Sequence, residues 1–68
     1  MPLPKEIIKE VEAHLDKAES TLAEITDVVT DMRLAGLDTS KRDTEIEDLR
    51  DEIRKRRIFL ARQKARTA

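Results

Sequence analysis

The residues of this chain that carry chemistry are almost all charged, and three groupings among them set the range of ligands to consider. His14 is the single histidine, and Glu10 stands one helical turn before it, a spacing that lets both side chains approach one metal ion. A metal centre needs more ligands than that, and the chain has no second histidine and no cysteine. Asp43, Glu45, Glu47, Asp48, Asp51 and Glu52 form an acidic cluster, but it lacks the glycine-turn loop of a calcium site and falls on a predicted helix. His14 is therefore expected at the surface or at the edge of a seam, and the acidic cluster as a solvated face. The third grouping is Arg54-Lys55-Arg56-Arg57 with Arg62, Lys64 and Arg66. Basic residues on a helix neutralise phosphates without reading sequence, and Ile58-Phe59-Leu60 interrupts them with apolar surface.

Enzymatic chemistry needs a nucleophile beside its base, an acid and base paired in a cleft, or a loop that cradles phosphate. The sequence offers none of these, and Gly36 is its only glycine. No catalytic residue, cofactor or metal is expected, and the chain reads as non-enzymatic.

The elements that must position these side chains are organised around Ile8 to Met32. Apolar residues recur there every seven positions in two interleaved columns, Ile8, Leu15, Leu22, Val29 and Val11, Ala18, Ile25, Met32. That is the a/d pattern of a helix that buries one seam against other helices. Lysines and acids fill the flanking positions, so the stripe is narrow, as in a coiled coil or an antiparallel bundle. Pro2 and Pro4 keep the first residues extended, and Pro4 suits the first turn of a helix, where its missing N–H is no loss. From Lys5 to Ala35 no glycine or proline intervenes, so helix 1 is predicted over about 4–35.

At Gly36-Leu37-Asp38 a stop signal meets a start signal. Gly36 suits the left-handed residue of a Schellman cap, with Leu37 folding back onto Met32. Asp38, Thr39 and Ser40 all suit an N-cap, and Ser40 and Asp43 have the spacing of a capping box. Helix 2 is predicted over about 39–66, with Ile46, Ile53 and Leu60 in one column and Leu49, Arg56 and Gln63 in the other. Its seam is apolar near the turn and polar toward the C-terminus. A single unbroken helix is the competing architecture. It would put Gly36, Asp43, Arg50 and Arg57 in the column that follows Val29, and none of them suits a core. The expected fold is therefore all-α, an antiparallel helical hairpin over residues 1–68 with its turn at 36–38.

In such a hairpin, facing residues have numbers that total roughly 74, so Leu49 meets Ile25, Ile53 meets Thr21–Leu22 and Leu60 meets His14–Leu15. Arg56 falls opposite Ala18, its guanidinium directed to water or to Glu19. Charge is distributed to match. Residues 1–53 hold all 15 acids and seven bases, a net −8, whereas the last fifteen residues hold seven bases and no acid. Helix 1, of the same or a sister chain, is the expected counter-charge for that basic segment.

One Phe, no Trp and no Tyr among 68 residues leave too few large side chains for a globular core, and domains this small usually add disulfides, metal or partner subunits. Without cysteine, self-association is the remaining device, and Ile7, Val28, Ile58, Phe59, Ala61 and Ala65 supply apolar surface off the seam. A two-fold dimer closing into a four-helix bundle is expected first. No apolar run is long enough to span a bilayer, and the first residues do not resemble a signal peptide. The chain is read as soluble and cytoplasmic. The function expected is a scaffold, adaptor or regulatory subunit that assembles through its seam, with a partner protein's helix as another occupant. The alternative is RNA or DNA binding through Arg54, Lys55, Arg57, Arg62, Lys64 and Arg66.

Overall fold

The computed structural model of the chain describes residues 3–67; Met1, Pro2 and Ala68, and with them the expected extended conformation at Pro2, lie outside the described residues. Two helices form an antiparallel hairpin: α1, Lys5–Leu34, and α2, Ser40–Thr67. No strand occurs among the described residues. The hairpin measures 50 × 16 × 11 Å with a radius of gyration of 15.6 Å. A compact chain of this length would have a radius near ~11 Å, so this is a rod one helix pair thick.

Pro4 precedes α1 instead of joining its first turn. Its ψ of 151° is extended, and its carbonyl accepts the first helical bond, from the Ile8 amide at 3.1 Å. Glu6, in the first turn, lies near the positive end of the helix dipole. At the other end Gly36 has φ 88°, the left-handed conformation that an L side chain resists. The Gly36 amide donates to the Arg33 carbonyl and the Leu37 amide to the Met32 carbonyl, both at 3.0 Å, which is the paired bonding of a Schellman cap. The Leu37 side chain remains 56% exposed, so the backbone bonds carry most of this stop.

The start of α2 is built differently from the expected capping box. The Asp43 amide donates to the Thr39 carbonyl at 2.8 Å, so buried Thr39 is the cap residue. Its hydroxyl donates to Asp43 Oδ2 at 3.0 Å, while Arg33 holds Asp43 Oδ1 at 2.7 Å. Ser40 turns back to Asp38, giving its amide at 3.0 Å and its hydroxyl at 2.7 Å to Oδ1. The Ser40 amide, then the hydroxyl, hold the Asp38 carboxyl below its ordinary pKa. With both its oxygens engaged, the Asp43 carboxylate forms no box with Ser40, and the loop is closed by Arg33 from α1 instead.

Packing between the helices follows one column. Ile8, Leu15 and Leu60 form one buried cluster and Leu22, Val29 and Ile46 another, with Ile53 packed against both. Leu3 and Val11 cover the first cluster. Beyond Leu60 the polar seam is closed by Gln63, which is buried and whose Oε1 accepts the Leu3 amide at 3.0 Å. That bond satisfies a polar side chain inside a narrow core, where an unpaired amide would be costly.

Candidate interaction surface

The two long edges of the hairpin differ in character. Along one edge, charged side chains of α2 reach across to α1. Arg57 donates from Nη2 to Asp16 at 2.6 Å and from Nε to Glu19 at 3.0 Å, and Lys64 lies 2.6 Å from Glu12. Hydrogen bonding to Asp16, then to Glu19, raises the Arg57 pKa above its ordinary value. Sequence spacing pointed to Arg56 as the residue reaching Glu19; the structure gives that role to Arg57. Arg56 leans along its own helix to Glu52 at 2.5 Å, and that hydrogen bond, followed by the Arg56 and Lys55 charges, lowers the Glu52 pKa. The difference is one residue of α2, about 100° of rotation, which turns Arg57 to the α1 edge.

The opposite edge is open and apolar. An open groove of about 630 Å³ runs between the helices there, with Ala18, Thr21 and Ile25 on the α1 side and Leu49, Ile53 and Arg56 on the α2 side. His14 and Lys17 stand on its rim. Toward the loop the surface continues through Val28 and Met32, with Arg42 facing them. Ile25 is 39% exposed and Leu49 47%, although both occupy seam positions.

The predicted seam residues therefore divide. Ile8, Leu15, Leu22, Val29, Ile46 and Leu60 are buried inside the hairpin, and Val11, Ala18, Met32 and Ile53 are half-buried. Ile25 and Leu49 face outward across the groove. One helix covers only one side of another, so the first column fills the contact and the second, some 60° round the helix, borders it. Of the apolar residues off the seam, Ile7, Val28, Ile58 and Phe59 are exposed. Val28 extends the groove, whereas helical spacing sets Ile58, Ala61 and Ala65 on the back of α2.

The basic candidates also divide. Arg57 and Lys64 pair with α1, Arg54 pairs with Asp51 at 3.1 Å, and Lys55 lies 3.9 Å from Glu52. Among the described residues, Arg62 and Arg66 make no ion pair. His14 sits beside the groove with no cluster of three or more metal-ligating side chains among the described residues. The buried roles of Thr39 and Gln63 carried no apolar signal, since both are polar residues at seam-compatible positions.

Fold and surface together define a two-helix hairpin with one ion-paired edge and one open apolar edge. Among the described residues no helix is long and apolar enough to cross a membrane. Comparison with protein-family models, with curated proteins and with solved structures finds no match to this chain.

Proposed function

We propose that this chain is a small non-enzymatic interaction module that self-assembles through the open edge of its hairpin. The observation that carries this is the exposure of Ile25 and Leu49, two large aliphatic residues in register with the core, across an apolar groove. Contiguous exposed apolar surface of this kind marks interaction sites. Among the described residues the hairpin has six buried apolar residues, and a core that small rarely holds a domain of this length by itself. Binding to helices of another protein is the related use of the same groove, since an amphipathic helix fits between two others through side chains spaced three and four apart.

Nucleic-acid binding is the second reading, and Arg62 and Arg66, which make no ion pair among the described residues, are what favour it. Against it, Arg57 and Lys64 are engaged with Asp16, Glu19 and Glu12, carboxylates that repel a polyanion. Size-exclusion chromatography with light scattering, run with and without bulk RNA, tests both. A dimer or larger assembly indifferent to RNA is expected. A monomer with no added partner would refute self-assembly. A nucleoprotein peak lost on replacing Arg54, Lys55 and Arg57 would favour the alternative.

A further inference from the structure

Folding back the chain creates a charge distribution that the linear sequence does not display. The hairpin brings residues 3–19 against 54–66 at one end and leaves 20–53 as the loop half. The loop half holds ten of the 15 acids and four of the 14 bases, a net −6, and the remainder of the chain carries +5. Arg57 and Lys64 already spend part of that positive charge on helix α1, but the imbalance between the two ends persists because every acid they meet is counted in it. The rod is 50 Å long, several times the ~8 Å screening length at physiological salt. Each half therefore responds to whatever lies directly opposite it.

The groove sits at the middle of this charged rod. Residues midway between the loop and the open end fall near Thr21 on α1 and Ile53 on α2, and both line it. A two-fold axis through that point would set the groove of one copy on the groove of another, with the two rods reversed in direction. The loop half of each, at −6, would then lie over the basic end of the other. The same faces packed in parallel would stack −6 on −6 and +5 on +5, which opposes association. Surface area agrees with the need for such a cover. The chain exposes 5465 Å², whereas a compact monomer of its 7.8 kDa mass would expose about 4,400 Å². The excess is comparable to the ~800 Å² that one partner gives up in a standard interface.

We propose that the open groove receives a second copy of this chain in antiparallel orientation, giving a two-fold four-helix bundle whose axis passes near Thr21 and in which opposite charges face at both ends. The proposal rests on the self-assembly stated above and adds the face, the orientation and the reason for it. Arg56 on the groove rim is the residue best placed to leave Glu52 for an acid of the second copy's loop half.

The absence of cysteine allows single spin labels to be placed without background, at Leu37→Cys on the loop and at Thr21→Cys by the axis, for pulsed distance measurement on the full chain. The loop labels are expected at about the rod length of 50 Å, and the Thr21 labels within about 20 Å, two helix spacings. Loop labels within about 20 Å of each other would show a parallel pair and overturn the proposal while leaving self-assembly standing. A chain that is monomeric by light scattering would overturn both. Ile25→Asp with Leu49→Asp is expected to weaken dimerisation about 1,000-fold or more, since it removes two large apolar groups per copy from the interface. A dimer unchanged by that pair of substitutions would overturn the face. Should the double variant also lose helicity, the distances on the labelled chains decide alone.

Discussion

Gly36 permits a test in which chirality alone sets the sign of the effect. Its φ of +88° is disfavoured for an L residue, yet a Cβ built there meets nothing within 4 Å. Steric collision with the rest of the protein is thus removed for the L substitution, and only backbone preference remains. An L-alanine in the left-handed region costs roughly 1–2 kcal/mol, offset in part by the ~0.4–1 kcal/mol it gains from restricting the unfolded chain. The net loss is about 1 kcal/mol, which for a domain of this size lowers the melting midpoint by about 4–8 °C. D-alanine prefers positive φ and keeps the entropic gain, so it should raise the midpoint by several degrees, on the order of half that shift. A 68-residue chain is within reach of chemical synthesis by ligation, so all three peptides can be compared by thermal circular dichroism at one concentration, which holds any assembly term fixed. Equal destabilisation by L- and D-alanine, or none by either, would refute the left-handed cap as the device that ends α1.

Three further outcomes follow from the packing and the charges. Leu60→Ala, at the most deeply buried side chain of the core, should cost about 2–5 kcal/mol and abolish a cooperative melt, whereas Leu34→Ala, at a position 81% exposed, should stay within ~0.5 kcal/mol; urea titration separates them. Acid should loosen α2 at its start and at its middle. The Asp38 and Glu52 carboxyls have folded-state pKa values below their ordinary ones, so the unfolded chain takes up protons first as pH falls, and stability drops from near the ordinary carboxyl pKa downward; Asp38→Asn, followed by helicity against pH, should flatten that decline. Replacing Arg57 by Gln removes the link to Asp16 and Glu19 and should make the melting midpoint less sensitive to added salt, with helix content retained at low temperature.

The two helices, their antiparallel order and the turn were legible because each depends on local signals. Seven-residue spacing of apolar side chains defined the helices, and Gly36 followed by capping residues defined the reversal. Which of several good caps would be used was not legible. Asp38, Thr39, Ser40 and Asp43 compete for the same few backbone groups, and the outcome depends on Arg33 arriving from α1 to hold Asp43. The split of the seam was also hidden. Two columns of similar composition, one ending in Val29 and the other containing Ile25, look equivalent in sequence, but a single neighbouring helix covers only the first. Arg56 and Arg57 were separable only by rotation about α2, which one-dimensional spacing leaves uncertain by a residue. Gln63 read as a weakening of the core because its partner, the Leu3 amide, belongs to a segment that precedes the helix and has no periodicity.

The bond between Leu3 and Gln63 ties the segment before α1 to the last turns of α2. The start of α1 and the end of α2 lie side by side, and the loop lies at the other end of a rod 50 Å long. A single hairpin thus has two unlike extremities, the paired open ends of its helices and its loop. Two hairpins joined in reverse, as proposed above, would carry one open end and one loop at each extremity. Joined in parallel instead, the pair would gather both open ends at one extremity and both loops at the other.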